Sequence, residues 1–311
     1  MFSVIIPTFD RCSLTLKAIE SVLNQSYGDF ELIVVDDGST ADYTEVKALL
    51  NANNQIYIKT ENYGVSHARN VGLRVSSRPI ISFLDSDDYW LSNKLEKHCE
   101  YFKANKNISV LQNNERWFRF GNEVQVPLHL KPRSGDEFLR SLKMCCVGPS
   151  SASIRRKVFE DVGYFNESLR LCEDYDYWLR TCFRFEVGLI KEILTVKVSG
   201  SHPQLTSSES AFDRFRLFSL VSFYDSHRDV LRGNIGRITK TVETIIAKAN
   251  ILLNGARNRG LKEDVAIYQA ILDYFNNSNT SVDKSADLAK LISRLVVTLN
   301  FRPKLKKSSI I

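Results

Sequence analysis

Residues 79–90 read PIISFLDSDDYW, and this stretch decides the predicted fold. Its first half is apolar and β-branched, which is typical of a buried strand from Ile80 to Leu84. Three carboxylates, Asp85, Asp87 and Asp88, follow directly. Because side chains alternate along an extended segment, Asp85 and Asp87 are predicted to point to the same side, just past the end of the strand.

Two interpretations of this acidic cluster stay open at this point. Closely spaced carboxylates repel one another unless a cation, an arginine or a bound hydroxyl compensates them, and Mg²⁺ or Mn²⁺ suits ligands that are all oxygen. In open α/β sheets, ligands bind beyond the carboxyl ends of the strands, which is where this cluster falls. The alternative is a solvated acidic turn in which Asp87 or Asp88 caps the next helix.

The residues before this stretch predict repeated β-α units. Short apolar strands are predicted at Ser3–Ile6, Leu32–Val35 and Ile56–Ile58, and helices at Leu14–Gln25, Asp42–Leu50 and Gly64–Val75. A continuous apolar strand between two helices is typical of a parallel strand that is covered on both faces. We therefore expect an α/β fold with a doubly wound, mostly parallel sheet.

A second acidic turn and an arginine are predicted at the same edge of this sheet. Asp37 follows the second predicted strand in the segment VVDDGST. Arg69, in ENYGVSHARNVG, is placed to reach the carboxylates or a phosphate, unless it is an ordinary arginine on the helix surface. The chain contains neither GxGxxG after its first strand nor GxxxxGK[ST], so dinucleotide fingerprints and P-loops are excluded.

A nucleotide at this acidic edge would have its phosphates held through a metal and its base and ribose bound by carboxylates. The second half of the chain mixes short strands and helices, and we expect it to form the wall opposite this nucleotide site and to hold the second substrate. Its chemical cluster is LCEDYDYWLR, in which Glu173 and Asp174 open a helix. Asp174 and Trp178 are four residues apart and share a helix face. We predict that the acid takes the proton of a sugar hydroxyl there and that the flat ring holds the sugar. Helix capping by the two acids is the alternative. His202 is interpreted either as a metal ligand or as a loop residue.

Length and composition indicate one large domain with an appendage. The chain has 311 residues, is 43% hydrophobic and carries a net charge of +6, much of it in the tail Arg302–Lys307. Such a tail favours weak contact with an anionic surface over sequence-specific nucleic-acid binding. No cleavable signal and no run of roughly 20 apolar residues is apparent, so we expect a cytoplasmic protein. The six cysteines lack zinc-site spacing and are expected to be buried free thiols.

From Glu209 onward the composition predicts helices only. We therefore expect a catalytic domain at residues 1–205 and a helical extension at residues 206–311. Apolar residues line one face of the last predicted helix: Leu288, Leu291, Ile292, Leu295, Val296 and Leu299. Core packing is the favoured interpretation of this face, and a partner chain or the inner face of the cell membrane is the alternative.

Five motifs occur in a characteristic order: SVIIPTFDR, VVDDGS, ENYGVSHARNVG, FLDSDDYW and EDYDYWLR. Together they resemble the family-2 glycosyltransferases, which are inverting enzymes of the glycosyltransferase A fold. The resemblance covers residues 1–205 and does not extend to the helical tail. It implies a nucleotide-sugar donor, often UDP-linked, that is bound with Mn²⁺ or Mg²⁺.

The resemblance also implies roles for individual residues. Pro7 and Phe9 would border the base of the nucleotide, and Asp37 would accept a hydrogen bond from that base. Arg69 would lie near the donor, Asp85 would meet the ribose and the metal, and Asp87 would bind the metal. Asp174 would be the general base. His202 follows a position where some relatives place a further metal ligand. Asp10 stands where many relatives have asparagine.

We therefore expect a sugar transferase with a hydroxyl acceptor, which is a carbohydrate or a lipid-linked sugar in bacterial surface-polysaccharide or lipopolysaccharide synthesis. A nucleotidyltransferase would usually need a glycine-rich basic loop after the first strand, where PTFDRCS has one arginine and no glycine. A phospho-acceptor signalling domain also clusters aspartates at strand ends, but it does not need a core of this size. The remaining alternative is a non-catalytic nucleotide-sugar-binding protein or a scaffold at the membrane surface.

Overall fold

The structure is a computed structural model that describes residues 1–200, 212–276 and 285–300. Contacts divide these residues into two compact units. The first unit comprises residues 1–137 and 145–200, and the second comprises the remainder. The predicted domain boundary at residue 205 lies outside the described residues, so its position stays a prediction.

Nine strands of the described residues form one sheet. They are β1 (Phe2–Thr8), β2 (Phe30–Asp36), β3 (Ile56–Lys59), β4 (Ile80–Phe83), β5 (Tyr89–Trp90), β6 (Val110–Arg119), β7 (Asn122–Val124), β8 (Ser153–Arg155) and β9 (Val187–Ser199). Their order is β3-β2-β1-β4-β8-β6-β9-β5, and β7 pairs with β6.

The helices of the described residues are numbered in chain order across both units. They are α1 (Cys12–Leu23), α2 (Thr44–Ala52), α3 (Val65–Val75), α4 (Lys94–Ala104), α5 (Phe138–Ser141), α6 (Lys157–Val162), α7 (Glu173–Arg184), α8 (Asp213–Arg232), α9 (Ile235–Asn258), α10 (Lys262–Asn276) and α11 (Ser285–Thr298). A single 3₁₀ turn at Pro149–Ser151 precedes β8. Helix α5 belongs to the second unit although its neighbours in sequence belong to the first.

The first four strands confirm the predicted α/β fold with its doubly wound sheet. β1 lies between β2 and β4 and is parallel to both, so that Val4 is opposite Leu32 on one side and Ser82 on the other. β3 continues the parallel arrangement from β2. Antiparallel pairs occur in the second half, where β8, β5 and β7 join.

Both faces of the parallel part are buried, as its continuous apolar strands predict. Alternate residues of β1 enter different cores: Phe2, Val4 and Ile6 belong to one apolar cluster, and Ile5 belongs to the other. The second cluster also contains Ala68 of α3. The helices on the two faces therefore fix the positions of the loops at the carboxyl ends of the strands.

Strands β6 and β9 run in the same direction as β4 and continue well past its end. β8 is antiparallel to both β4 and β6, and Ser153 lies opposite Ser82 on one side and Leu111 on the other. β4 ends one residue after Ser82, whereas β6 continues for eight residues after Leu111 with β9 parallel beside it. We call the overhanging residues 114–119 and 195–199 the β6–β9 wall.

The second unit is helical, as its composition predicts. α9 packs against α8 and α10, and α11 packs against the same two helices. On α11, Leu288, Leu291 and Leu295 are buried, which agrees with core packing, but Val296 was predicted on the same face and is exposed. Among the described residues, none of the helices has the length and apolarity needed to cross a membrane. The basic tail lies outside the described residues.

Gly72 allows α3 to lie directly against β1. A Cβ atom at this position would be 2.4 Å from Cγ2 of Ile5, a β-branched residue in the middle of the sheet. We expect Gly72→Ala to lower the free energy of unfolding by about 1–2 kcal/mol, because overpacking outweighs the gain in helix propensity. Urea unfolding followed by circular dichroism measures this loss.

Gly28→Ala is the matched control, since no atom lies within 4 Å of a Cβ at that position. It should change the free energy of unfolding by less than about 0.5 kcal/mol. Equal stability of the two variants would show that α3 can move away from β1 without cost.

Candidate active site

The acidic turn after β4 is held in place by its third carboxylate. Asp88 is buried, and its two carboxylate oxygens accept hydrogen bonds from the Ser150 hydroxyl at 2.6 Å and from the Val198 backbone N–H at 3.1 Å. Ser150 also accepts a hydrogen bond from the Asp85 backbone N–H at 3.1 Å. Burial raises the pKa of Asp88 well above its usual value. Asp88 therefore fastens the turn to the 3₁₀ turn and to β9.

This arrangement contradicts the prediction that Asp87 or Asp88 caps the next helix. α4 begins at Lys94, six residues after Asp88 and seven after Asp87, and Asn93 occupies its N-cap position. The intervening residues Tyr89–Trp90 form the short strand β5, which pairs with β9. The acidic turn is thus a connection between two strands of the same sheet.

A buried arginine joins the acidic turn to the start of α7. Arg69 is 3% exposed, and its guanidinium donates hydrogen bonds to Asp85 at 2.8 Å and to Glu173 at 2.7 Å. Burial opposes the charged guanidinium, but the two carboxylates outweigh it and raise the pKa of Arg69. The sequence interpretation of Arg69 as a surface residue is therefore wrong, and its predicted contact with the carboxylates is confirmed.

The sequence of α3 explains why Arg69 can lie so deep. Gly64 precedes the helix with φ +94°, a left-handed conformation that glycine adopts without strain. Ala68 and Gly72 then form the face that contacts the sheet, and both are too small to push the helix outward. The arginine next to Ala68 is carried to the carboxyl edge of β4 as a result.

Asp174 lies in the first turn of α7, beside the ion pair of Arg69 with Glu173. Its side chain is half-buried, and one of its oxygens accepts a hydrogen bond from the Cys145 thiol, with Sγ and Oδ2 3.3 Å apart. Burial raises the pKa of Cys145, so the thiol stays protonated and remains a donor. Burial also raises the pKa of Glu173, to about 7, although Arg69 acts against this shift. Of these two neighbouring acids, Asp174 is the one that a ligand can reach.

Asp85 and Asp87 are the carboxylates that a divalent cation could use. Their side chains are 31% and 14% exposed, and Asp87 accepts a hydrogen bond from Arg11 at 2.7 Å. Among the described residues, no group of three or more histidine, cysteine or acidic side chains is placed to hold a metal ion. Mg²⁺ commonly takes one or two protein carboxylates and completes its shell with substrate phosphates and water. The pair therefore fits a cation that binds together with a diphosphate.

The predicted nucleotide-binding residues lie at the ends of β1 and β2. Pro7 is buried inside β1, whereas Phe9 just beyond the strand is 44% exposed. Asp37 accepts hydrogen bonds from the backbone N–H groups of Tyr63 and Gly64 at 3.0 and 2.8 Å. Its predicted contact with a base stays a prediction, and the structure adds that Asp37 organises the loop after β3.

The loops after β2 and β3 touch through their backbones. Gly38 has φ +79°, and a Cβ atom there would lie 2.7 Å from the backbone nitrogen of Asn62. Asp10 has φ +49°, and its carboxylate accepts hydrogen bonds from the N–H groups of Thr40 and Ala41 at 2.8 and 3.0 Å. Aspartate and asparagine both tolerate this backbone conformation, so the departure at Asp10 keeps the local structure intact.

Trp178 and His202 are the remaining predicted site residues. Trp178 was predicted to present its ring to a sugar, but it is only 1% exposed and packs in the core against Tyr177. This prediction is wrong, because Trp178 lies one turn farther along α7 than Asp174, where the helix packs into the core with Ile5 and Phe83. His202 lies outside the described residues, so its predicted role as a metal ligand stays a prediction.

Three residues of the site were not predicted from sequence. Arg11 is a basic residue just past the first strand, and this position in the sequence could have indicated a contact with the acids at the same edge of the sheet. Ser150 and Cys145 lie in an irregular segment, CCVGPSSAS, where no periodicity assigns them to a face. Their contacts with Asp88 and Asp174 join residues 62 and 29 positions apart and depend on the tertiary fold.

The sequence of the chain is similar to those of known glycosyltransferases. The family profile described as Glycosyl transferase family 2 matches residues 3–163. Among curated relatives, UDP-Glc:alpha-D-GlcNAc-diphosphoundecaprenol beta-1,3-glucosyltransferase WfgD of Escherichia coli is 33% identical over 181 residues, which cover 58% of this chain and 68% of that protein. Uncharacterized glycosyltransferases of Rickettsia bellii, Rickettsia felis and Rickettsia conorii are 30–33% identical, and the chain spans only 29–33% of their length.

Solved structures with the same fold include two complexes with a nucleotide sugar. The structure of Staphylococcus aureus TarS residues 1–349 with UDP-GlcNAc has a TM-score of 0.60 and 17% identity, covering 90% of this chain and 93% of that one. The mannosyltransferase PcManGT of Pyrobaculum calidifontis with GDP-Man and Mn²⁺ has a TM-score of 0.53 and 16% identity, covering 96% of this chain and 86% of that one. At these identities the likeness shows the fold.

The ion pairs of Arg69 predict a large loss of stability when the arginine is removed. Arg69→Leu leaves Asp85 and Glu173 without their cation, and we expect the free energy of unfolding to fall by about 3–5 kcal/mol at pH 8. The loss should be smaller at pH 5. A carboxyl group whose pKa is raised in the folded state lowers stability only when the pH is above the pKa that the same group has in the unfolded chain, and pH 5 is much closer to that value than pH 8. Urea unfolding at the two pH values measures both effects.

Arg74→Leu is the matched control on the same helix, since the Arg74 side chain is 50% exposed. It should change the free energy of unfolding by less than about 0.5 kcal/mol at either pH. An Arg69→Leu variant as stable as this control would show that the ion pairs of Arg69 do not stabilise the fold.

Proposed function

The chain belongs to glycosyl transferase family 2, and we propose that it transfers a sugar from a UDP-linked donor to a hydroxyl acceptor with inversion at the anomeric carbon. The observation that carries the proposal is the pair of hydrogen bonds from Arg69 to Asp85 and Glu173. They bring the acidic turn after β4 and the first turn of α7 to one edge of the sheet. A donor at the turn and a base on the helix can then act on the same sugar.

In the proposed reaction, Asp174 is the general base. Its carboxylate takes the proton of the acceptor hydroxyl as the hydroxyl oxygen forms a bond to the anomeric carbon. The bond from that carbon to the donor diphosphate breaks on the opposite face, so the products are an inverted glycoside and the nucleoside diphosphate. The Tyr175 backbone N–H donates to one oxygen of Asp174 at 2.7 Å, and the Cys145 thiol lies 3.3 Å from the other, so the carboxylate is held in one orientation.

The leaving diphosphate acquires negative charge that must be balanced. Asp85 and Asp87 would hold Mn²⁺ or Mg²⁺, which supplies Lewis-acid stabilisation of the diphosphate when it is bound. Arg11, paired with Asp87 at 2.7 Å, contributes a second positive charge at the same place. His202 is proposed as a further metal ligand from the sequence alone.

The donor and acceptor classes are proposed from the relatives and the loops. Asp37 and Phe9 lie at the ends of the first two strands, where a uracil base would fit beside an exposed ring. The name of WfgD describes transfer of glucose to a sugar linked through diphosphate to undecaprenol. We therefore propose a lipid-linked or free carbohydrate acceptor, in bacterial surface-polysaccharide or lipopolysaccharide synthesis at the inner face of the cell membrane.

Substitution of the proposed base tests the mechanism. Asp174→Asn should lower kcat by about two to four orders of magnitude, because the amide cannot accept the acceptor proton. Binding of UDP, measured by calorimetry, should persist. Release of UDP from UDP-glucose in the presence of a sugar acceptor provides the rate.

Asp161→Asn is the matched control, since Asp161 is an exposed carboxylate of the same unit. This variant should retain the parental rate. Undiminished turnover in Asp174→Asn would remove Asp174 as the base, while loss of UDP binding in the same variant would indicate a disturbed fold.

The proposed metal site is tested by the dependence of UDP affinity on Mn²⁺. The affinity of the parental protein for UDP should fall by about tenfold to a hundredfold when EDTA replaces Mn²⁺, because the diphosphate loses a contact with a charged group. In Asp87→Asn, the affinity with Mn²⁺ should fall to the parental value with EDTA. An Asp87→Asn variant that keeps the full response to Mn²⁺ would show that the cation binds elsewhere.

A further inference from the structure

The β6–β9 wall carries a cluster of three side chains that the reaction described above does not use. Glu115 is buried, and its two carboxylate oxygens contact Trp117 and Lys197. The indole Nε1–H donates to Glu115 at 2.7 Å, and the Lys197 ammonium lies 3.4 Å from the other oxygen. Trp117 and Lys197 are direct partners in the parallel pairing of β6 with β9.

This cluster faces the acidic turn. Thr195 shares the face of Lys197, two residues earlier on β9, and its hydroxyl donates to the carbonyl of Ser150 at 3.2 Å. Ser150 in turn binds both the backbone of Asp85 and the carboxylate of Asp88. Lys197 therefore lies about 7 Å farther along β9 than Thr195, which contacts the turn.

Gly148 confirms the close approach. A Cβ atom at Gly148 would lie 2.6 Å from Oε1 of Glu115 and 2.7 Å from Nζ of Lys197. Gly148 immediately precedes the 3₁₀ turn that contains Ser150, and Cys145, which contacts Asp174, is three residues before it. The cluster is therefore connected to the acidic turn and to Asp174 through one short segment.

The order of strands places the cluster on the acceptor side. The predicted nucleotide residues follow β1 and β2, whereas β6 and β9 lie on the other side of β4. In an inverting displacement, the acceptor approaches the anomeric carbon from the face opposite the leaving diphosphate. A wall that stands across β4 from the nucleotide is the side from which the acceptor must come.

We propose that Trp117, Glu115 and Lys197 form a binding site for the sugar ring of the acceptor. The half-buried indole offers a flat apolar face to the C–H groups of a pyranose, and its N–H is already satisfied by Glu115. The Glu115 side chain is only 5% exposed and holds the indole and the ammonium in position, while the Lys197 side chain, 28% exposed, donates hydrogen bonds from its ammonium to sugar hydroxyls. This inference rests on the proposed transferase function and names the class of its second substrate.

The charges favour a neutral ligand over a phosphate. Burial acts against the charge on Lys197, but Glu115, Asp88 and Asp85 outweigh it and raise the pKa of the lysine, which therefore remains protonated. Its single positive charge is already balanced by these carboxylates. A phosphate would have to compete with Glu115, 3.4 Å from the ammonium, for this charge, whereas a hydroxylated ring needs only a donor and an apolar face.

Fluorescence provides a test that does not need turnover. The chain has three tryptophans, of which Trp90 and Trp178 are 3% and 1% exposed, so quenching by acrylamide reports mainly on Trp117. The probes are the methyl glycosides of glucose, galactose, mannose and N-acetylglucosamine, and N-acetylglucosamine α-diphosphate with a short alkyl chain, each added with UDP and Mn²⁺. At least one probe should lower the acrylamide quenching constant by about half, because a ring stacked on the indole removes one of its two faces from solvent.

Trp117→Leu should abolish this protection and raise the KM for the protective acceptor by about tenfold, since stacking on an aromatic ring contributes about 1 kcal/mol or more. Glu115→Gln keeps an acceptor for the indole N–H but loses the charge beside Lys197, and should also raise that KM. Phe118→Leu is the matched control, because Phe118 is the next residue on β6 and faces the other side of the strand. It should behave as the parental protein.

The outcomes separate this inference from the proposed function. Calorimetric binding of UDP without any protection by the probes, or an acceptor KM in Trp117→Leu equal to that in Phe118→Leu, would overturn the acceptor site and leave the transferase proposal standing. Protection of Trp117 by a sugar in a protein that neither binds UDP nor transfers sugar would support the sugar site and overturn the transferase proposal.

Discussion

The buried guanidinium of Arg69 is the interaction on which the candidate site depends. It binds Asp85 and Glu173, which come from different parts of the chain, at 2.8 and 2.7 Å. A charge removed from water costs several kcal/mol unless partners compensate it, so these three groups are stable only together. Because Gly72 holds the helix of Arg69 against β1, the arginine is kept at that depth by the packing of the sheet. The packing of the core thus fixes the distance between the acidic turn and α7 before any ligand binds.

Much of the fold follows from the sequence because its signals are local. The continuous apolar strands and the helical spacing between them predict the parallel half of the sheet, and two-sided burial of β1 confirms it. The second half is harder, since β5 is only two residues long and β8 only three. Strands this short have no readable alternation, and they exist because longer neighbours offer them partners. The overhang of β6 and β9 likewise depends on register, which the sequence does not reveal.

The site was predictable in its residue types and less so in its contacts. The acids at the strand end and at the start of α7 were visible as motifs, and the contact of Arg69 with them was anticipated. Trp178 was predicted to be accessible because it shares a helix face with Asp174, but spacing on a helix does not reveal that the core covers this face one turn beyond Asp174. Ser150 and Lys197 contribute through partners far away in sequence, Asp88 and Glu115, and no local pattern marks them.

Gly38 has a consequence for how a nucleotide would enter. Its backbone leaves no space between the loops after β2 and β3, and Asp37 binds that second loop through two N–H groups. The two loops are thus joined through their backbones, and a movement of one over an incoming base would have to carry the other with it. In the proposed donor site, the entropy lost on association would then be mostly that of the nucleotide, and the on-rate would be governed by diffusion rather than by a rearrangement of the protein.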